Sequence, residues 1–96
     1  MIAFAVALAA ANPTILLFGH GGESCASAWR PESVRSSENW LAGFWSGLNF
    51  ERGAQAGRYT DFTGMVAEVR LICDKEPSLT LAYAAVQTYE KVRSRS

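Results

Sequence analysis

The apolar and polar positions of this chain predict an apolar leader followed by three amphipathic helices. Every charged side chain lies at Glu23 or beyond, whereas residues 1–18 are mostly alanine and aliphatic residues. From Glu38 onward, large apolar side chains recur every three or four residues, the spacing that places them on one face of a helix. This first stripe consists of Trp40, Leu41, Phe44, Trp45 and Leu48. A loop or a frayed helix end is then predicted over residues 51–59, where glycines interrupt the pattern.

A second helix is predicted to begin at Thr60 or Asp61, because either side chain can cap the first turn. A carboxylate at Asp61 also suits the positive end of the helix dipole. The apolar stripe that follows is the most regular in the chain and consists of Phe62, Met65, Val66, Val69, Ile72 and Cys73. This spacing predicts that Cys73 lies on the buried face of the helix.

Pro77 ends the second helix, and Ser78 is predicted to cap a third helix that extends to the basic C-terminus. Two adjacent apolar faces are expected on this helix, one with Leu79, Ala82, Tyr83 and Val86, the other with Leu81, Ala85 and Val92. No segment shows the sustained alternation of apolar and polar residues that is typical of strands. We therefore predict an all-α fold, a small disulfide-stapled bundle of three to four helices.

Gly43 and Gly47 occupy a stripe beside the apolar face of the first helix. Each glycine in a helix interior costs about 1 kcal/mol relative to alanine, so two at this spacing call for an explanation. The favoured interpretation is close helix packing, in which another backbone approaches these glycines. The functional alternative is the floor of a binding groove.

The leader is assigned to residues 1–22 and the single helical domain to residues 23–96. A signal peptide fits the leader better than a membrane span, because Asn12 and Pro13 interrupt its apolar run. Two small-residue cleavage patterns, Ala7-x-Ala9 and Ala9-x-Ala11, follow the apolar stretch, and cleavage nearer Gly21 or Gly22 is a further option. The alternative to export is an uncleaved leader that packs on the domain or anchors it to a membrane.

Two cysteines, Cys25 and Cys73, indicate the compartment. An even cysteine count in a small domain behind an apolar leader predicts one disulfide and a periplasmic or secreted location. The two positions are separated by 48 residues, and closing such a loop stabilises the folded state by about 4 kcal/mol in the chain-entropy model. The alternative is a pair of buried free thiols in a cytosolic protein.

The charges exclude some partners and limit the response to pH. Nine basic and nine acidic side chains cancel at neutral pH, without the basic stripe that nucleic acids or anionic membrane surfaces require. We therefore expect no nucleic-acid partner, and membrane contact only if the leader is retained. Because His20 is the only histidine and lies outside the predicted domain, a pH response is expected to involve carboxylates.

No combination of residues indicates catalysis, and we expect neither enzyme activity, nor a cofactor, nor a metal. His20, Cys25 and Cys73 lack a fourth ligand and the spacing of a structural zinc site. Asp61 and Glu68 lie two helical turns apart, where carboxylates are usually just solvated. The glycines before Glu23 are not followed by the Lys-Ser/Thr of a phosphate loop.

Large aromatic side chains are unusually frequent between Trp29 and Phe50. Most are expected in the core, since a small helical unit needs them to bury enough area. Trp40, Phe44 and Trp45 span too wide an arc of the helix to face one narrow core, because adjacent residues point about 100° apart. At least one ring is therefore expected to be exposed or to lie under the segment next to the leader. These three residues are the candidate protein-contact site.

From Cys25 to Val92 the chain resembles a family of small exported helical proteins of proteobacteria. The shared features are Cys25 and Trp29, the segment Trp40–Asn49 with its Gly-x-x-Ser-Gly-x-Asn pattern, the helix start at Thr60-Asp61, Cys73 and Pro77. In size and layout the chain is similar to the HdeA/HdeB periplasmic acid-stress chaperones and, more loosely, to immunity proteins that neutralise type VI secretion effectors. Both resemblances imply a disulfide-bonded helical bundle that binds protein and carries no catalytic residues.

The resemblance leads us to expect a periplasmic protein-binding domain with a stress or chaperone role. Its partners would be unfolding protein clients, and the acid chaperones imply a possible homodimer that loosens at low pH. The alternatives are an immunity or inhibitor protein that binds a single effector, and a membrane-anchored structural accessory domain.

Overall fold

The computed structural model describes residues 15–95, which form an all-helical bundle. A 3₁₀ turn at Gly19–Gly22 precedes four α-helices: α1 (Cys25–Ala28), α2 (Val34–Arg52), α3 (Phe62–Lys75) and α4 (Leu81–Arg95). Within these residues there is no strand, only an isolated antiparallel bridge between Ser24 and Thr80. The predicted fold class, a small helical bundle with one disulfide, is confirmed.

Helix α2 begins at Val34, among the polar residues that precede the apolar stripe. The polar residues before Trp40 continue the helix because Ser37 is fully buried and its hydroxyl donates a 2.6 Å hydrogen bond to the carbonyl of Ala28. A satisfied hydroxyl can occupy the core, whereas the apolar stripe alone does not reveal this extra turn. Gly53 caps the C-terminal end of the helix, and its φ of 60° is the left-handed conformation that glycine adopts without strain.

Helix α3 follows the sequence prediction closely. The carboxylate of Asp61 accepts a 2.8 Å hydrogen bond from the amide of Gly64 and caps the first turn. The buried side chains of this helix are Met65, Val66, Val69 and Cys73. The predicted position of Cys73 on the buried face is therefore confirmed.

Helix α4 is capped by Thr80 and not by the predicted Ser78. The Thr80 hydroxyl accepts a 3.1 Å hydrogen bond from the amide of Tyr83, while residues 77–79 form a turn before the helix. The buried face consists of Leu81, Ala82, Ala84, Ala85, Thr88, Tyr89 and Val92. The small alanines let α4 lie against α3 and the 3₁₀ turn, and Tyr89 is fully buried in the core.

The 3₁₀ turn packs on the helices, and we call residues 18–22 the strap. The strap contacts both α2 and α4, and the following residues are held by hydrogen bonds from the Leu81 amide to Glu23 and from the Cys25 amide to Leu79. The leader predicted over residues 1–22 lies outside the described residues up to residue 14. Within residues 15–95, no helix combines the length and the apolar character needed to cross a membrane.

The expected close packing of a second backbone on Gly43 and Gly47 is not found within the described residues. Apart from its chain neighbours and the adjacent backbone of α2 itself, a Cβ atom built at either glycine would meet no atom within 4 Å. The helix face that carries them is open.

Candidate protein-binding site

The Cys25–Cys73 disulfide joins the first residue of α1 to α3, as predicted. Both cysteines are buried. The indole Nε1 of Trp29 donates a hydrogen bond to the sulfur of Cys73 at 3.3 Å, and the guanidinium of Arg70 lies 4.6 Å from the centroid of the Trp29 ring. The disulfide is therefore shielded from solvent, and it fixes the chain next to the strap onto the helical core.

Trp40 and Phe44 form a stacked pair on α2, with ring centroids 4.6 Å apart and an interplanar angle of 19°. Both rings are half-buried. The indole Nε1 of Trp40 donates a 2.8 Å hydrogen bond to the carbonyl oxygen of Phe18. Gly21 is buried against this ring. Trp40 therefore lies under the segment next to the leader, the arrangement expected of at least one aromatic ring.

Trp45 points into the core. It is 6% exposed, packs edge to face with Tyr89 at a centroid distance of 5.0 Å, and donates a 2.9 Å hydrogen bond to the carbonyl of Ala56. Only a small part of this side chain, at the cleft described below, reaches the surface. Of the three predicted contact residues, only Trp40 and Phe44 are partly exposed.

A polar network around Asn49 connects α2, α4 and the loop between α2 and α3. The side-chain amide of Asn49 donates to the carbonyl of Ala56 at 3.2 Å and accepts from its amide at 3.0 Å. The hydroxyl of Tyr89 donates to the same Asn49 oxygen at 2.8 Å. Sequence reasoning missed Tyr89, although its spacing from Leu81, Ala85 and Val92 places it on the same helical face.

The loop held by Asn49 forms one wall of a surface cleft of about 210 Å³ between α2 and the start of α3. Its lining combines apolar groups with a polar rim and consists of Ala42, Trp45, Ser46, Ala56, Gly57, Thr60, Asp61, Phe62 and Met65. Phe62, predicted on the buried stripe of α3, is 42% exposed at this cleft.

Large apolar side chains are also exposed elsewhere on the surface. Phe50 is 90% exposed on α2, Tyr59 is 76% exposed in the following loop, and Leu71 is 60% exposed on α3. These side chains therefore contribute apolar surface outside the cleft.

Two ion pairs connect α4 to its neighbours. Glu90 on α4 pairs with Arg52 of α2, and Arg95 at the end of α4 pairs with Glu68 of α3 at 2.8 Å. The hydrogen bond from Arg52, together with the charge of nearby Arg93, lowers the pKa of Glu90 below its ordinary value of 4.5. The same hydrogen bond raises the pKa of Arg52.

The side chains considered for chemistry occupy separate places. Nδ1 of His20 lies 3.1 Å from a carboxylate oxygen of Glu23, without the alignment of a hydrogen bond. Asp61 caps α3 while Glu68 pairs with Arg95, so the two carboxylates do not act as a pair. Within residues 15–95, no three His, Cys, Asp or Glu side chains are grouped to hold a metal ion.

Comparison of the chain with models of protein families, with characterised proteins and with solved structures finds no match. The contacts and charges of the chain itself therefore carry the functional proposal.

Proposed function

We propose that the protein is a small exported domain that binds other proteins without catalysis, in the manner of the HdeA/HdeB acid-stress chaperones. The buried Cys25–Cys73 disulfide supports export, because disulfides persist in oxidising compartments such as the periplasm and are rare in the cytosol. The exposed apolar side chains support protein binding.

The observation that carries the acid response is the pairing of α4 with both neighbouring helices through carboxylates. Glu90 joins α4 to α2, and Glu68 joins α3 to α4. The pKa of Glu90 is lowered in the folded state, so its stabilising contribution is complete above the unfolded value of 4.5 and is lost as the pH falls through the lower folded value. Acid thus removes the ion pair between α4 and α2.

Loosening of α4 would uncover apolar surface while the chain stays connected. The face of α4 that packs on the other helices includes Leu81, Tyr89 and Val92, all buried. The disulfide lies between α1 and α3, so it continues to hold these elements when α4 moves. At low pH the nine basic side chains are no longer balanced by carboxylates, and their mutual repulsion favours both opening and solubility.

The proposal is tested by the aggregation of an acid-denatured client protein, followed by light scattering. The disulfide-bonded protein is expected to suppress aggregation below about pH 4 and to have no effect at neutral pH. Absence of suppression at every pH would contradict the chaperone role.

A variant pair identifies the carboxylates responsible. Glu68→Gln/Glu90→Gln mimics the acid state at both ion pairs, so we expect it to suppress aggregation at a higher pH than the wild-type protein. Glu76→Gln is the matched control, because Glu76 is exposed and its carboxylate pairs with no described side chain. Equal pH profiles for the double variant and the control would show that the two ion pairs do not control the acid response.

A second candidate function, an inhibitor or immunity protein with one effector, is favoured by the cleft beside Trp45. A cleft of about 210 Å³ with an apolar floor and a polar rim can accommodate one large side chain of a partner. This function requires a tight complex at neutral pH that survives gel filtration, and Phe62→Ala at the cleft would be expected to weaken it.

A further inference from the structure

We infer that the strap is a permanent part of the mature domain, so that the leader is cleaved upstream of Phe18. This inference rests on the proposed export of the protein. It selects between the possible processing sites, which sequence patterns leave open. The two Ala-x-Ala patterns precede the described residues, whereas Gly21 and Gly22 lie within the packed part of the chain.

The strap binds α2 through its backbone. The carbonyl oxygen of Phe18 accepts the hydrogen bond of the Trp40 indole at 2.8 Å, while the Phe18 side chain is 79% exposed. Cleavage after Gly21 would remove this acceptor together with the residues that cover the Trp40 ring. The indole N–H would lose its partner, and more of an aromatic ring would be exposed to water.

The small residues of the strap are required by its packing on Trp40. Gly19-x-Gly21 lacks the alanines of the Ala-x-Ala patterns but also places two small residues at this spacing. Packing explains these glycines instead, since a Cβ at Gly21 would overlap the six-membered ring of Trp40. A Cβ at Gly19 would lie 3.0 Å from the same side chain, and the φ of Gly19 is +80°, which L side chains rarely adopt. The requirement for glycine therefore comes from the fold.

Contacts and hydrogen bonds connect the strap to the core of the domain. The strap contacts both α2 and α4. Immediately after it, the carbonyl of Glu23 accepts a hydrogen bond from Leu81 at the start of α4, and the amide of Cys25 donates one to Leu79. The disulfide at Cys25 then fixes the end of this path. A mature chain that began at Glu23 would therefore lack an element that packs on two helices of the domain.

The test is the N-terminus of the protein recovered from the periplasm of a bacterial host that expresses the full chain. Intact mass and N-terminal sequencing are expected to give a first residue upstream of Phe18. A first residue at Gly22 or Glu23, or an uncleaved chain, would overturn the inference. Processing upstream of Phe18 without acid-dependent client binding would refute only the chaperone role. Client binding by a chain that begins at Gly22 would refute only the inference.

A pair of glycine variants tests the strap independently of export. Gly21→Ala is expected to release the strap, so that chymotrypsin cleaves after Phe18 about tenfold faster than in the wild-type protein. Gly22→Ala is the matched control, since its Cβ would make only ordinary contacts at 3.9 Å with Leu17. Trp40→Phe removes the hydrogen-bond donor without adding bulk and should also accelerate this cut. Equal cleavage of the Gly21 and Gly22 variants would overturn the inference.

Discussion

Helix α2 carries two surfaces at which glycine matters, and they are opposite in kind. On one surface, Gly21 of the strap packs on Trp40 so closely that a Cβ atom has no room. On the other, Gly43 and Gly47 belong to the helix itself, and nothing described lies within 4 Å of an added Cβ. The strap glycines are needed for a contact within the domain, whereas the helix glycines cost helical stability without such a contact.

This difference shows that glycine spacing alone does not reveal what glycine does. The four-residue spacing of Gly43 and Gly47 predicted a close backbone, yet the described chain leaves that face open. The close approach occurs at Gly21, in a segment that the sequence assigned to the leader. What lies opposite a glycine is decided by tertiary packing, because the absence of a side chain permits contact without specifying a partner.

The largest effect is expected from removing the disulfide that anchors the chain next to the strap. Cys25→Ser/Cys73→Ser should lower the free energy of unfolding by about 4 kcal/mol for a loop of this length. At about 4 °C or more for each kcal/mol in a domain of this size, the melting temperature should fall by about 16 °C. Thermal unfolding followed by circular dichroism in oxidising buffer measures this, with reduced wild-type protein as the control. An unchanged melting temperature would contradict the role given to the disulfide.

A smaller effect is expected at the packed surface. Gly21→Ala forces the strap or Trp40 to shift, and overpacking of this kind typically costs about 1 to 3 kcal/mol. Gly22→Ala should change the free energy of unfolding by less than about 0.5 kcal/mol, the range of ordinary surface substitutions. Urea unfolding of both variants measures the contrast. Two equal values would mean that the strap surface does not depend on glycine.

The open surface should respond in the opposite direction. Gly43→Ala and Gly47→Ala are each expected to raise the free energy of unfolding by about 1 kcal/mol, because alanine favours the helix and meets no neighbour. Urea unfolding at two protein concentrations is the measurement, so that a homodimer packed on this face would be detected. If these variants are less stable than the wild-type protein at the higher concentration, a second chain covers the glycines.

Much of the fold follows from local patterns in the sequence. The stripe from Met65 to Cys73 and the cap at Asp61 define α3, because apolar spacing and capping act within one helix. The burial of Ser37 was not predicted, and the cap of α4 was misplaced. Ser37 is buried through a hydrogen bond to the distant Ala28, and Thr80 caps the helix in place of Ser78. Such choices depend on contacts that form only in the assembled bundle.

The candidate site was predictable only in part. Sequence reasoning expected at least one of the three rings to be exposed or to lie under the segment next to the leader, and the indole of Trp40 is hydrogen-bonded to the carbonyl of Phe18. It did not identify Trp45 as buried, since adjacent rings on a helix give no indication of which one faces the core. The hydrogen bonds among Asn49, Ala56 and Tyr89 join residues from three parts of the chain. Only the three-dimensional fold brings these residues together.

Whether acid loosens α4 through its carboxylates is decided by an acid titration of the disulfide-bonded protein. Near-UV circular dichroism and the fluorescence of a hydrophobic dye are recorded from neutral pH to about pH 2. The predicted result is loss of tertiary signal and gain of dye binding as the pH falls below the ordinary glutamate pKa of 4.5, with helical content retained.

At neutral pH, the Glu90→Gln variant should be slightly less stable than the wild-type protein. In acid, where Glu90 is already protonated, the two proteins should give the same near-UV spectrum and dye fluorescence. Glu76→Gln should follow the wild-type curve throughout. A near-UV spectrum that stays unchanged down to about pH 2 would contradict the acid loosening of α4.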